Sequence, residues 1–181
     1  MITFQQVENV YDSKFEENYA LYTEAFPNYS RRKWANIETL FTKKQNFNCI
    51  NIYKDNEFVG LFHYWDFEQF VFVEHFAILP HLQGHGLGTE SMKLFMSQHQ
   101  VPIILETETP RTTIASKRIF FYERLGFLAS SNFYMQPPYE GGQVMISMLI
   151  MSNNYQYVTK HFGKIKNTIY KEVYKYDPKK N

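Results

Sequence analysis

The stretch FVFVEHFAILPHLQGHGLGT, residues 70–89, joins an apolar segment to a glycine-rich loop. The alternating pattern over 70–79 predicts a strand that ends at Pro80, and apolar residues three and four apart then predict a helix to about His99. Three glycines between a strand and a helix let backbone N–H groups converge, and the helix N-terminus adds positive potential. The stretch therefore predicts a phosphate-binding β–loop–α unit, against the simpler alternative of a tight turn that uses glycine for positive φ.

In the rest of the chain, segments with the alternating pattern of a strand take turns with segments that have the apolar spacing of a helix. The predicted elements are a strand over 2–9, a helix from Ser13 to Phe26, a second helix capped by Ser30, strands over 47–53 and 58–67, a strand over 102–106, a helix over 115–125, a strand after Phe127 and a last strand over 143–152. Short connections between the strands before the loop suit an antiparallel meander. We therefore expect an α/β (α+β) class, with a mixed, mostly antiparallel central sheet flanked by helices.

The end of the chain differs in charge from the rest. From Tyr155 onward the chain contains seven lysines and two acidic residues, so this segment has a formal charge of +5. The whole chain has a formal net charge of +1. Apolar residues at helical spacing predict an amphipathic helix there, which needs a surface to cover on this domain or in a homodimer. We therefore separate a domain over 1–153 from a basic helical extension over 154–181, and we rank nucleic acid below other partners.

Composition narrows the class of protein. The 181 residues are 44% hydrophobic and 20% charged, which is typical of a globular protein rather than a disordered one. Cys49 is the one cysteine, and the mainly apolar stretch 144–151, which Ser147 interrupts, is much shorter than the about 20 residues of a membrane span. The amino terminus lacks the pattern of a signal peptide, and the six histidines lack ligand spacing. We expect no membrane span, no metal and a cytoplasmic location.

Three kinds of phosphate-binding loop can be compared with this one. A P-loop needs Gly-Lys-Ser/Thr after its glycine run, and no such lysine is present. A dinucleotide loop needs a third glycine where Thr89 stands, although Glu106 lies at a suitable distance for ribose recognition. Three apparently antiparallel strands before the loop also argue against a dinucleotide fold, so a nucleotide-cofactor protein is the weakest alternative.

The third kind fits the spacing. Gln83-x-x-Gly86-x-Gly88, after a strand that ends Ala77-Ile78-x-Pro80, resembles the acetyl-CoA pyrophosphate loop of the GNAT superfamily of N-acetyltransferases. The segment 121–127, FYERLGF, is similar to the later helix of that family, which carries a tyrosine four residues before Gly-Phe. The predicted order of elements agrees over roughly residues 1–152, so the resemblance implies a single GNAT-like domain and acetyl-CoA as co-substrate.

The resemblance also implies where acetyl-CoA binds. The loop and helix start would hold the pyrophosphate through Gln83, Gly84, His85, Gly86, Leu87, Gly88 and Thr89. The main chain of Phe76, Ala77 and Ile78, in a strand that a bulge splays in this family, would pair with the pantetheine arm and donate to the thioester oxygen. Many members have an asparagine near the start of the tyrosine helix, where this chain offers Ser116 or a threonine.

The resemblance implies direct acetyl transfer to a primary amine in a ternary complex. Tyr122 would protonate the departing thiolate, and Glu74 would act as the general base through water. Strict alternation places Glu74 on one face with Phe72 and Phe76 and turns His75 to the other face, although a bulge would alter this facing. His75, His63 and water alone stay open as alternative proton acceptors.

The acceptor site of this fold usually forms from the two early helices and the loop before the last strand. Candidate acceptor-binding residues there are Phe26, Tyr29, Trp34 and Tyr139, which suit the amine of a small molecule or a peptide N-terminus. The competing non-enzymatic interpretation is an acyl-CoA-binding or regulatory module that keeps the fold without turnover.

Overall fold

The computed structural model describes residues 1–43, 45–139, 142 and 144–178. The chain divides into two compact units, Met1–Val101 and Pro102–Asn181. The first unit contains β1 (Ile2–Gln6), α1 (Ser13–Ala25), α2 (Trp34–Lys43), β2 (Phe47–Lys54), β3 (Glu57–Asp66), β4 (Val71–Ile78) and α3 (Leu87–Gln98). The second contains β5 (Ile103–Glu108), α4 (Thr113–Glu123), β6 (Leu128–Ala129), β7 (Tyr134–Gln136), β8 (Ile146–Ser152) and α5 (Tyr155–Thr168).

The first unit is an antiparallel sheet in the order β1-β2-β3-β4 with helices on both faces. Successive strand residues point to opposite faces, so Phe62 and His63 mark the two sides of β3. Phe62 stacks on Phe95 of α3 at 4.5 Å between ring centroids. His63 lies 2.7 Å from the side-chain oxygen of Asn18 on α1. One layer therefore contains α3, and the opposite layer contains α1.

The second unit is built around β8, which pairs antiparallel with β5, β6 and β7. The predicted strand after Phe127 is two short strands, because Ser130 and Asn132 form a side-chain turn between them, in which the Ser130 hydroxyl accepts the Asn132 N–H at 3.2 Å. The last strand begins at Ile146 rather than at residue 143, which lies outside the described residues. The expected mixed α/β fold with mostly antiparallel strands is confirmed.

The C-terminal helix covers its apolar stripe within the second unit. Asn154 caps α5 by accepting the Tyr157 N–H at 3.0 Å, and α5 packs against β8. A π-helical turn, Ile169–Val173, follows it. The buried side chains of this segment are Val158, Ile165, Ile169, Tyr170, Val173 and Tyr174. The apolar stripe was expected to cover a surface of this domain or of a second subunit, and the structure shows it covering a surface of this chain. Two of the lysines counted in the basic extension, Lys179 and Lys180, lie outside the described residues.

The start of the second helix differs from the prediction. Ser30 does not cap it, because its hydroxyl donates to the Pro27 carbonyl at 3.1 Å and closes the 3-10 turn Asn28–Ser30. The helix α2 begins only at Trp34. The intervening residues 31–33 form an extended connection that places Arg32 in the interior of the first unit, where it is 5% exposed.

Gly60 on β3 lies where a side chain would have no room, and it gives a stability prediction. A Cβ there would overlap the carbonyl oxygen of Ala77 and lie 2.8 Å from Ile78 Cδ1. We expect Gly60→Ala to lower the free energy of unfolding by about 1–3 kcal/mol, measured by urea denaturation. Gly163→Ala on α5 is the control, since its Cβ would meet nothing within 4 Å. Equal midpoints for Gly60→Ala and the parent would contradict the tight fit.

Candidate acetyl-CoA and acceptor site

The glycine loop has the backbone conformation that its sequence predicts. Gly84 and Gly86 both have φ of 83°, in the left-handed region that side chains disfavour. A Cβ at either position would meet nothing within 4 Å. Glycine is therefore required here by backbone conformation and not by packing within the protein, and the open space beside the loop is available to a ligand.

The helix after the loop presents unpaired backbone donors. The first turn contains Leu87, Gly88 and Thr89, because Gly86 is the N-cap and the first helical bond runs from the Glu90 N–H to the Gly86 carbonyl at 3.0 Å. Among the described residues no side chain caps this N-terminus. Leu87 and Gly88, which were predicted to lie in the loop, are thus helical, and so is Thr89, which was predicted at the helix start. Their N–H groups and the helix dipole suit a diphosphate, so the cradle fits the pyrophosphate of acetyl-CoA.

Gln83 and His85 flank the loop in different ways. The Gln83 side-chain amide donates to the Ile78 carbonyl at 2.9 Å and thereby ties the loop to the end of β4. His85 is exposed, with Nδ1 3.3 Å from the Leu82 carbonyl oxygen. Gln83 therefore shapes the loop, while His85 lies where a bound phosphate would be accessible to its ring.

The strand before the loop carries the bulge that the resemblance implies. The register with β3 changes between His63 and Tyr64, which face His75 and Val73, so that Glu74 is the extra residue. As a whole Glu74 is partly exposed, although its side chain is only 1% exposed, so the accessible part is main chain. Beyond the bulge Phe76 stacks on Phe62 at 4.3 Å, with Ala77 and Ile78 buried.

The bulge changes the facing expected from strict alternation for His75 and Phe76, whereas Glu74 stays on the face of Phe72. Glu74 and His75 lie on the same face, toward α1, whereas Phe76 points to the α3 face with Phe62. Phe72 pairs with Trp65 and does not share the Phe76 face. Strict alternation was therefore wrong at this point, because an inserted residue shifts the side-chain period by one.

The Glu74 carboxylate lies in a polar setting rather than among aromatic side chains alone. Its Oε1 is 2.9 Å from Arg32 Nη2, and its Oε2 accepts the Trp65 indole N–H at 2.6 Å. The sequence interpretation missed Arg32 and Trp65. Trp65 lies two residues beyond His63 on the neighbouring strand, which is a usable signal, but nothing local in the sequence marks Arg32.

The two histidines proposed as alternative bases are buried beside Tyr22. His63 Nε2 is 2.7 Å from the Asn18 side-chain oxygen, and His75 Nε2 is 2.9 Å from the Ser30 carbonyl oxygen. Burial lowers the pKa of His63 to about 3 and also lowers the pKa of His75. Burial likewise raises the pKa of Tyr22. Both imidazoles are therefore neutral near pH 7 and serve packing and hydrogen bonding.

The depressed pKa of His63 predicts acid sensitivity of the fold. In the unfolded chain a histidine binds a proton below about pH 6.5, whereas in the folded protein His63 binds one only near pH 3. The contribution of His63 to the free energy of unfolding is therefore fully present above pH 6.5. It is lost as the pH falls from 6.5 toward 3. The slope is up to about 1.4 kcal/mol per pH unit for one such group. We expect His63→Gln to lose less stability between pH 7.5 and 5 than the parent does, measured by urea denaturation at both pH values.

His81→Gln is the matched control for that experiment, because His81 is exposed. It should retain the parental dependence of stability on pH. An identical slope for His63→Gln and the parent would contradict a buried neutral His63.

Tyr122 lies on α4 and is buried, with its ring against Phe121 and Phe127 at 5.0 and 5.7 Å between centroids. Burial raises its pKa to about 12, with a smaller opposing effect from Arg118. The phenol is therefore protonated at neutral pH and is a donor. A phenol this weakly acidic acts by hydrogen-bonding developing negative charge and gives up its proton only late in bond cleavage.

The start of α4 differs from the family pattern in its polar groups. Thr112 is the N-cap and accepts the Ala115 N–H at 3.1 Å, while Ser116 is exposed on the first turn. Arg118 Nη1 lies 2.7 Å from Glu108 Oε2 on the surface. Ser116 and Thr113 thus both present exposed hydroxyls at this helix start, and Arg118 is engaged in an exposed ion pair.

The four predicted acceptor-binding residues occupy different environments. Trp34 is 41% exposed and lines a shallow cavity of about 510 Å³ with Tyr19 and Glu16. Phe26 packs edge-on against His75 at 4.5 Å, and Tyr29 is 64% exposed. Tyr139, in the second unit, is 9% exposed and packs on Tyr174 at 5.1 Å. Trp34 and Tyr29 are therefore the accessible members, whereas Tyr139 packs on the C-terminal segment.

Glu106, which a dinucleotide site would use, serves packing in the second unit. Its carboxylate accepts hydrogen bonds from the Tyr134 hydroxyl, the Gln136 amide and the Tyr174 hydroxyl, the last at 2.6 Å. Burial and the Glu106 charge raise the pKa of Tyr134. This carboxylate thereby ties the C-terminal segment to β5 and β7.

Metal binding, thiol catalysis and membrane insertion each depend on a particular arrangement of residues. The described part of the chain contains no group of three or more histidine, cysteine, aspartate or glutamate residues placed to hold a metal ion. Cys49 is buried, and burial raises the pKa of its thiol, so it is a poor nucleophile. Within the same ranges, no helix is both long enough and apolar enough to cross a membrane.

These features define an α/β protein with a glycine loop and a helix N-terminus that fit a diphosphate. Residues 7–127 match the model of the Acetyltransferase (GNAT) family, and the chain belongs to that family. A solved structure from Bacteroides thetaiotaomicron assigned to the GNAT family is 31% identical, with a TM-score of 0.90 over 95% of this chain and 98% of that one. A search of curated proteins finds no match.

Two more distant structures share the fold. A GNAT family acetyltransferase from Elizabethkingia anophelis with acetyl-CoA bound is 15% identical, with a TM-score of 0.58 over 83% of this chain and 96% of that one. An Arabidopsis thaliana protein in complex with the bisubstrate analogue CoA-Ac-MVNAL is 17% identical, with a TM-score of 0.59 over 85% and 99%. The chain is thus a GNAT acetyltransferase, whose family reaction is acetyl-CoA-dependent acetyl transfer.

Proposed function

We propose that this protein is an N-acetyltransferase that moves the acetyl group of acetyl-CoA directly to a primary amine of a small molecule or peptide. The observation that carries the proposal is the pair of left-handed glycines, Gly84 and Gly86, leading into a helix N-terminus that no described side chain caps. Membership of the GNAT family supports the same reaction. Acetyl-CoA supplies the activated acetyl group when it is bound.

Different residues bind acetyl-CoA, transfer protons and contact the acceptor. Backbone donors of residues 83–89 hold the pyrophosphate, and the main chain of 76–78 binds the pantetheine arm and the thioester oxygen. Glu74 accepts the amine proton through water, and Tyr122 hydrogen-bonds and then protonates the leaving thiolate. Trp34 and Tyr29 contact the acceptor. The Arabidopsis complex with a peptide-containing analogue supports peptides as one acceptor class to test. The buried lone thiol suits a reducing cytoplasm.

The test combines binding with turnover. Isothermal titration should give saturable binding of acetyl-CoA and coenzyme A and none of NADH or ATP. Thiol release with a panel of amines and N-terminal peptides should then identify the acceptor class. Initial rates at varied acetyl-CoA and amine should give intersecting reciprocal plots, as direct transfer requires. Acetyl-CoA binding without thiol release for any amine would favour the non-catalytic acyl-CoA-binding alternative.

Glu74→Gln tests the base. The amide keeps an oxygen that can accept from Trp65 but cannot take a proton, so we expect kcat to fall about 100-fold or more with acetyl-CoA affinity unchanged. Glu57→Gln is the matched control, because Glu57 is an exposed acid on β3. Thermal unfolding of both variants checks the fold. Parental kcat in Glu74→Gln would remove Glu74 from the reaction and favour water alone.

A further inference from the structure

The Glu74 carboxylate is held from two other elements of the first unit. Arg32, in the connection before α2, places Nη2 2.9 Å from Glu74 Oε1, and Trp65 on β3 donates its indole N–H to Oε2 at 2.6 Å. The side chains of Arg32 and Glu74 are 5% and 1% exposed. Each carboxylate oxygen therefore has a specific donor in a region that excludes bulk water.

Arg32 is itself fixed in place by contacts with α1 and β3. Its backbone N–H donates to the Tyr22 hydroxyl at 2.6 Å, and its guanidinium carbon lies 5.8 Å from the centroid of the Trp65 ring. Because the main chain and the side chain are both held, the guanidinium is presented to Glu74 in one orientation. Arginine suits this role, since its planar fork can bond a carboxylate and pack on an aromatic ring together.

Two opposing effects act on the charge of Glu74. Burial of a carboxyl favours its neutral form, whereas a cation within about 4–6 Å favours the carboxylate. The other titratable groups that face it are His75, with Nδ1 4.0 Å from Oε1, and His63 and Tyr22, which interact with it electrostatically. Arg31 also acts on this cluster, because its charge opposes the rise in the pKa of Tyr22. Both histidines are neutral near pH 7, whereas Arg32 places a positive charge in contact with Glu74.

We propose that Arg32 is a positioning residue that keeps the buried Glu74 side chain ionised and oriented, so that it can accept the proton of the acceptor amine. This inference rests on the proposed role of Glu74 as the base. The strand supplies the orientation, because Glu74 points to the face that holds Arg32 and Trp65 and not to the α3 face.

The pH dependence of kcat/KM provides the functional test. In Arg32→Gln, Glu74 should take up a proton at neutral pH, so the acidic limb should move upward by about 1–3 pH units, with activity at pH 7 down about 10-fold or more and largely recovered at high pH. Arg32→Lys keeps the charge and should leave the limb close to the parental one. Trp65→Phe removes a neutral donor and should give a smaller upward shift. A structural role alone would lower the rate at every pH.

Infrared spectroscopy tests the same pair without turnover. Arg32→Gln should show a protonated-carboxyl band at pH 7 that disappears at higher pH and is missing from the Arg32→Gln/Glu74→Gln double variant. If Arg32→Gln does not fold, Trp65→Phe and Arg32→Lys are compared instead. We then expect a shifted acidic limb for Trp65→Phe and a parental one for Arg32→Lys, and equal limbs would overturn the inference.

The outcomes distinguish the effect of Arg32 on the ionisation of Glu74 from the role of Glu74 as the base. A parental acidic limb in Arg32→Gln, with no carboxyl band, would overturn the inference even if Glu74→Gln is inactive. A carboxyl band in Arg32→Gln, together with full activity of Glu74→Gln, would retain the Arg32 effect on ionisation but overturn its catalytic consequence and the base role together.

Discussion

Gly86→Asp is expected to weaken acetyl-CoA binding by more than about 100-fold, which corresponds to about 2.7 kcal/mol. The substitution places a carboxylate beside the helix N-terminus, in the space where the diphosphate would lie, and like charges at a binding interface repel. It also puts a side chain on a backbone with φ of 83°, which costs about 1–2 kcal/mol of folding stability. Isothermal titration with acetyl-CoA measures the first effect and thermal unfolding the second.

Two variants separate charge from backbone strain in that experiment. Gly86→Ala carries the strain without the charge and should bind acetyl-CoA more tightly than Gly86→Asp does. Gly163→Ala, in a helix outside the loop, should bind like the parent. If Gly86→Asp binds acetyl-CoA with parental affinity while NADH or ATP also binds, the interpretation of the glycine loop is wrong and a nucleotide-cofactor site has to be considered again.

Tyr122→Phe is expected to lower kcat by about 100-fold or more while the Kd for acetyl-CoA stays unchanged. The phenol has its pKa raised to about 12, so it remains a donor across the working pH range, and phenylalanine keeps the ring packing against Phe121 and Phe127. Stopped-time thiol release at saturating acetyl-CoA measures kcat. The parental enzyme should show no basic limb from this phenol below about pH 10.

Tyr64→Phe is a suitable control, since Tyr64 is a half-buried tyrosine on β3 that packs on Phe95 at 5.0 Å. It likewise loses one tyrosine hydroxyl and should keep parental kcat. A small loss in Tyr122→Phe, comparable to that of Tyr64→Phe, would assign Tyr122 to core packing and leave protonation of the thiolate to solvent.

Local patterns account for the parts of the fold that were predicted well. The strand before Pro80, the glycine loop and the helix to Gln98 follow from alternation, turn chemistry and helical spacing within one short segment. The left-handed φ of Gly84 and Gly86 follows from residue type, because glycine tolerates this region. The amphipathic stripe of α5 was likewise readable, although its partner surface was not.

Ser30 and Glu74 show where local patterns were insufficient. Ser30 has a side chain that caps helices, but tertiary placement of Arg32 keeps the following residues extended and delays α2 to Trp34. Glu74 follows an alternating pattern, but pairing with β3 inserts it as the extra residue of a bulge. In both cases the competing local conformations differ little in energy, so contacts distant in sequence decide between them.

The sequence by itself determined the family, the glycine cradle and the tyrosine on α4, because each depends on residue type and on spacing within a short segment. Only the tertiary structure decided which groups surround Glu74. Its partners Arg32 and Trp65 come from two other elements, and the bulge places His75 on the same face as Glu74. The physical reason is that burial and ion pairing depend on three-dimensional proximity, which a pattern of period two or 3.6 does not encode.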